Sequence, residues 1–196
     1  MAIEIRNLQR GFRIDRGALR SLATALAGAA RRGTAQVPWR ELTVILADDA
    51  TIDPINRAVM GHAGATDVIT QRYETVPGEP PGLVGELVIN VEQAWRVGTH
   101  LAGARPAWSP AHELTLYLAH GCDHLAGAED DTPTGRIRMR RRERRWLAGL
   151  VIRADLIAMT LKPGVELTTK CAKNGQRNGD APCDEPCGGS GRTRGA

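Results

Sequence analysis

The sequence predicts an α+β fold, a single domain in which a mixed sheet of about four strands is packed by helices. Three observations carry that expectation. Four short runs rich in branched apolar residues, AIEIRN, ELTVILAD, TDVITQRY and LVGELVINV, read as strands. Between and after them lie longer stretches with helical apolar spacing. The 196 residues, 42% apolar and 24% charged, suit one sizeable core and are too few for two comfortable ones.

The elements follow in order. AIEIRN alternates in the manner of a half-buried strand. RGALRSLATALAGAARR, residues 16–32, is Ala- and Leu-rich with helical spacing, and Gly33 is a suitable stop. Pro38 and Trp39 lead into ELTVILAD, whose branched centre predicts a buried strand. Asp53 and Pro54 are expected to open a short helix through Asn56 and Met60, with proline in the first turn. TDVITQRY is the third strand, Pro77, Pro80, Pro81 and Gly82 form a loop, and LVGELVINV is the fourth strand. A helix follows over residues 92–104.

SPAHELTLYLAHGCDHLAG is the best-marked helix and the expected centre of the domain. Ser109 is an N-cap, Pro110 suits the first turn, and Glu113 favours the positive N-terminal end. Leu114, Leu118, Cys122 and Leu125 recur on one face, and Gly127 ends the element. A last helix is predicted over residues 134–159, with Trp146, Leu147, Leu150, Val151 and Leu156 as its apolar face. The domain thus spans residues 1–163. Residues 164–196 turn to Gly, Asn, Asp, Pro and Lys, too poor in large apolar groups to offset ordering entropy, and are predicted as a low-complexity, disordered tail.

Aromatics are scarce, so Val, Ile, Leu and Ala must fill the core. No apolar run approaches the roughly 20 residues needed to cross a bilayer, and MAIEIRNLQR lacks the apolar stretch of a secretory leader. A cytoplasmic protein with no membrane partner is the expectation. The net charge is +4, yet RIRMRRRERR, residues 136–145, alone carries +6, leaving −2 for the remainder. Such a local patch favours polyanions, RNA phosphates among them, or forms a solvated helix face. Of the four cysteines, Cys122 falls on the helix face away from its neighbouring histidines. Cys171, Cys183 and Cys187 lie in the tail without a nearby histidine and have no assigned role.

The chemistry concentrates in AHGCDHLAGAEDD, residues 119–131. His120 and His124, four apart on a helix, lie on one face and can offer imidazole nitrogens to one ion. Gly127 can take a left-handed conformation and turn the chain back towards them. The acids at 129, 130 and 131 arrive where that return leads, and a carboxylate is a normal zinc ligand. Two imidazoles and a carboxylate leave a fourth position open, the pattern of a catalytic centre. The harder carboxylate also makes manganese or nickel acceptable. Gly121 stands where zinc peptidases of this spacing carry their glutamate base. It either opens space beside the metal for a bulky group such as a phosphodiester or allows close helix packing. Asp123 and Glu129 are expected to be bases, solvated acids or partners holding an imidazole. His62 and His112 read as structural or surface residues, and Thr66 and Asp67 as a turn into the third strand.

H-G-x-x-H-L-x-G followed by acids resembles the motif of the YbeY family of bacterial single-strand-specific endoribonucleases. INRAVMGHAGATDVITQRY is similar to that family's Leu-Asn … Thr-Asp-Val-Leu-Ser-Phe segment at Asn56, Thr66, Asp67 and Val68. VGELVINVEQA is similar to its Gly-Asp-Ile-Val-Ile-Ser strand at Gly85, Glu86, Val88 and Ile89. The resemblance implies zinc-dependent cleavage of single-stranded RNA in 16S rRNA maturation and ribosome quality control, with rRNA and the ribosome as partners. It also implies one zinc ion per chain held by His120, His124 and Asp130, the last standing where the family has a third histidine. The family's basic residue between Asn and Thr-Asp is here Met60, for which Arg57 and Arg72 are the nearby substitutes. The last helix, acidic in many relatives, is here basic, so Arg136, Arg140, Arg141 and Arg142 are further expected RNA contacts. Two other readings remain: an RNA- or ribosome-binding factor braced by a structural metal, and a metalloprotease-like hydrolase.

Overall fold

The computed structural model describes residues 1–33, 37–74, 77–105, 108–150 and 162–163. Its main sheet has four strands, β1 (Ala2–Asn7), β3 (Trp39–Ala47), β4 (Val68–Tyr73) and β5 (Leu83–Asn90), in the order β1-β3-β5-β4. β1 and β5 run parallel to β3, while β4 pairs antiparallel with β5 at the edge, so the sheet is mixed as the sequence predicts. A two-residue strand, β2 (Phe12–Arg13), pairs with β6 (Lys162–Pro163) and was not foreseen. Pairs this short carry too little periodicity to be read from sequence.

Five helices complete the described chain: α1 (Arg16–Gly33), α2 (Asp49–Met60), α3 (Val91–Ala104), α4 (Pro110–Leu125) and α5 (Pro133–Leu150). α4 is the central one, touching α1, α3, α5, β4 and β5. Its face of Leu114, Leu118, Cys122 and Leu125 is buried in a core shared with Leu19, Leu22 and Leu26 of α1 and Leu42, Val44 and Leu46 of β3. Burial and the neighbouring Asp123 carboxylate push the Cys122 thiol up to about 12, so it behaves as a small apolar residue. No helix among the described residues is long and apolar enough to cross a membrane.

Two expectations need correction. α2 opens at Asp48 rather than Asp53, because the Asp48 carboxylate accepts from the Thr51 N–H at 2.9 Å and caps the helix a turn and a half earlier. Pro54 therefore sits inside α2 rather than in its first turn, removing one backbone donor. β3 begins at Trp39, whose indole donates to the Ala27 carbonyl at 2.9 Å and so fixes the strand start against α1. On α5, Leu147 is buried and Trp146 half-buried as expected. The expected contacts of Leu150, Val151 and Leu156 and the tail from 164 lie outside the described side chains.

Two buried asparagines shape the rim of the sheet. Asn90 closes β5 and caps α3 by accepting from the Gln93 N–H, while its amide donates to Asp49 and to the Thr66 carbonyl. Asn56 donates to the His62 and Gly64 carbonyls, latching the loop between α2 and β4. Asn90 also donates its backbone N–H to the Asp67 carbonyl at 2.8 Å, so it holds the Thr66–Asp67 turn against the end of β5.

Candidate metal centre

The C-terminal end of α4 presents His120 and His124 to one another, with their Nε2 atoms 3.1 Å apart. Each ring is fixed through its other nitrogen. His120 Nδ1 meets the Glu143 carboxylate of α5 at 2.7 Å, and His124 Nδ1 meets the Ala128 carbonyl at 3.0 Å. A carbonyl only accepts, so His124 Nδ1 carries the proton and its Nε2 is bare when the ring is neutral; the carboxylate assigns His120 the same way. With both rings neutral, two lone pairs therefore face each other across a gap in which neither can donate. Such an arrangement repels unless a cation or a proton lies between.

The third group comes from the return that the sequence predicts. Gly127 has φ 96°, the left-handed region, and its N–H bonds to the His124 carbonyl at 2.8 Å. The Ala128 N–H then reaches back to the Asp123 carbonyl at 3.0 Å. This brings Asp130 Oδ1 to 3.8 Å from His124 Nε2, and Arg136 donates to the Asp130 carbonyl at 2.9 Å from the start of α5. Ligand atoms of His120, His124 and Asp130 all lie within 4.8 Å of one another. Two imidazoles and a carboxylate match the donor set of zinc, with room for further ligands on the open side. The residues present fit a divalent cation.

Burial alone would lower the basicity of His120, but Glu143, with help from Asp67 and Asp130, outweighs it and raises it. Glu143 is the residue the sequence reading missed. It is the one acid in RIRMRRRERR, and it sits on α5's inner stripe with Met139 and Leu147, all buried. That period-four spacing was the available signal. An acid holding the far nitrogen of a ligand histidine fixes its orientation and strengthens it as a donor.

The other expected residues are dispersed. Asp123, fully buried, receives a two-pronged contact from Arg142 at 2.8–3.2 Å, so it braces α4 against α5 and is not a base at the centre. Burial pushes its carboxyl up and Arg142 offsets part of that. Arg142 is accordingly committed inside the protein rather than offered to RNA. Glu129 is exposed. Gly121 faces the sheet, where an added Cβ would come within 2.6 Å of Leu87 Cδ2. Close packing of α4 on β5 explains this glycine, and the expectation of open space beside the metal is corrected.

Two clefts meet at the triad. The larger, about 960 Å³, runs between the ends of α3 and α4 and the side of α5, and reaches His120 and Asp130. The smaller, about 330 Å³, lies towards α2 and β4 and contains Met60, Thr66, Asp67, Thr70 and both histidines. Asp67 borders both. Arg57 and Arg72 border neither: Arg57 pairs with Asp53 at 3.3 Å on the exposed face of α2, and Arg72 is exposed on β4. Arg136 and Arg140 border the larger cleft, whereas Arg141 points outward.

This chain shows clear similarity to known proteins. A family model described as Endoribonuclease YbeY matches residues 4–151. A protein of that name from Moorella thermoacetica is 33% identical over 162 residues, covering 78% of this chain and 99% of the relative. Another from Anaeromyxobacter is 35% identical over 146 residues, covering 74% and 68%. A third, from Rhodopirellula baltica, is 44% identical over 100 residues, and there the aligned part is about half of each protein. Among solved structures, the solution structure of TM1509 from Thermotoga maritima aligns over 91% of this chain and 99% of its own, with TM-score 0.48 and 16% identity. With the family model matched over most of the domain, and with relatives aligned across three quarters of its length, the chain belongs to the YbeY endoribonuclease family.

Proposed function

We propose that this protein is a zinc-dependent endoribonuclease that cuts single-stranded RNA, in 16S rRNA maturation and ribosome quality control in the cytoplasm. The observation that carries the reading is the pair of Nε2 atoms 3.1 Å apart beside the Asp130 carboxylate. The endoribonuclease name of its relatives supports the substrate class. His120, His124 and Asp130 hold one ion per chain, and manganese or nickel is tolerated because the carboxylate is the harder ligand. Bound there, the cation supplies Lewis-acid neutralisation of charge developing on the scissile phosphate.

The chain's own residues do the rest. Glu143 and the Ala128 carbonyl keep both rings in the donor tautomer, and the turn at Gly127 sets the reach of Asp130. The open clefts on either side leave the RNA backbone access to the centre. A peptidase reading is disfavoured because Gly121 brings no base and faces Leu87.

The test is cleavage of an unstructured RNA by the purified full chain. Activity that is abolished by chelation, restored by zinc or manganese, and absent in His120→Ala and His124→Ala is the expected result. Intact RNA with a fully metallated wild-type protein would overturn the nuclease reading and favour a binding factor braced by metal.

A further inference from the structure

α5 carries its arginines in separate rows. Met139, Glu143 and Leu147 face inward and are buried. Arg142 turns to one side and locks onto Asp123. Arg136, Arg140 and Arg144, spaced four apart, lie on the other side, all exposed and all bordering the larger cleft. Arg138, Arg141 and Arg145 point to the back. Successive members of the cleft row are about 6 Å apart along the helix axis, since four residues rise about 1.5 Å each. That is comparable to the step between phosphates of a stretched single strand.

Across the cleft stand Arg105, Trp108 and His112, near the junction of α3 and α4. The Trp108 and His112 rings stack with centroids 5.6 Å apart. The indole is held in place from below, its N–H donating to the buried Glu113 carboxylate at 2.7 Å. Of the four acids bordering the cleft, three are engaged by neighbours, Glu113 by Trp108, Glu143 by His120, and Asp67 by the Thr66 hydroxyl and the Val68 N–H. The fourth, Asp130, is the triad's own carboxylate beside His124. The guanidiniums form the rim, and among the described residues Arg105, Arg140 and Arg144 have no carboxylate partner. An exposed cationic row opposite an aromatic platform is the combination that single-stranded nucleic acid requires.

We infer that single-stranded RNA approaches the triad along this cleft, its phosphates on the Arg136–Arg140–Arg144 row and a base against Trp108. This deepens the nuclease reading and rests on it, but binding and cleavage can be scored separately. The row ends beside Asp130, because the Arg136 guanidinium donates to the Asp130 carbonyl. A strand following it is therefore delivered to the metal ligands rather than held apart from them.

The test is fluorescence anisotropy of the full chain with a 2′-O-methyl oligouridine of about 12 nucleotides, a usual site size for such binders. Arg140→Ala/Arg144→Ala should weaken binding at least about tenfold and lower the salt slope by about 1.4, at about 0.7 per phosphate contact. Arg138→Ala/Arg141→Ala removes the same charge from the back of α5 and should change affinity less than about threefold. Trp108→Ala should cost about tenfold, with Trp108→Tyr recovering most of it, as stacking requires. Equal losses from the two arginine pairs would overturn the track in favour of diffuse attraction. So would competition by polyaspartate as strong as by unlabelled RNA, which would assign the row to an acidic protein. Should the predicted binding pattern hold while wild-type protein leaves RNA uncut, the track stands and the nuclease reading falls.

Discussion

The two clefts that share the triad differ in almost every property. The α5 side is rimmed by exposed arginines and carries stacked rings. The β4 side is bordered by Met60, Thr66, Thr70 and acids, and among the described residues no arginine or lysine lines it. Resemblance to the family places a basic residue at Met60, and here it is a thioether, 56% exposed. Among the described residues, the positive charge bordering the two clefts is thus concentrated on one flank of the triad. The lesson is that charge near a metal centre must be read by face, because Arg57, three residues from Met60, points elsewhere and pairs with Asp53.

That contrast can be broken first at Arg142, the member of the arginine run that is paired with the buried Asp123. Arg142→Ala leaves the Asp123 carboxylate buried without a partner, at a cost of about 3 kcal/mol. The melting temperature should fall by about 6–12 °C for a domain this size, while Arg138→Ala should leave it nearly unchanged. Equal melting temperatures for the two variants would show that Asp123 does not depend on the ion pair. A smaller effect is expected from making the poor side resemble the rich one. Met60→Arg should raise kcat/KM for single-stranded RNA by about threefold to tenfold, part of the roughly hundredfold that a preorganised donor is worth. An unchanged value would place the developing phosphate charge entirely on the α5 side.

Much of the architecture was legible because each element announces itself locally. α4 has a capping serine, a first-turn proline, a continuous apolar face and a terminating glycine, and all four act as read. The four main strands followed from their branched runs. α2 was misread because two start signals compete, and the capping carboxylate at Asp48 prevails over the proline five residues beyond its first turn position. The histidine pair and the return of an acid could be read on paper, since His120 and His124 share a helix face and Gly127 sends the chain back, whereas the choice of Asp130 among the three acids came from the resemblance to the family. The supporting partners could not. Glu143 meets His120 from 23 residues away, and Arg142 meets Asp123 from 19, contacts set by how α5 docks on α4. The partition of the arginine run into buried, cleft-lining and outward rows depends on the same docking, so sequence read it as one patch. Gly121 left two meanings open that only the position of Leu87 could separate.

The central claim is that one turn of α4 and the loop behind it form a divalent-cation site. Elemental analysis of the purified full chain, paired with zinc titration, tests it most directly. The account predicts one ion per wild-type chain, none in His120→Ala, and about 10–100-fold weaker binding in Glu143→Gln, whose carboxylate no longer steadies the ring. Wild-type protein that binds no zinc, manganese or nickel, or that binds zinc equally well without His120, would contradict it.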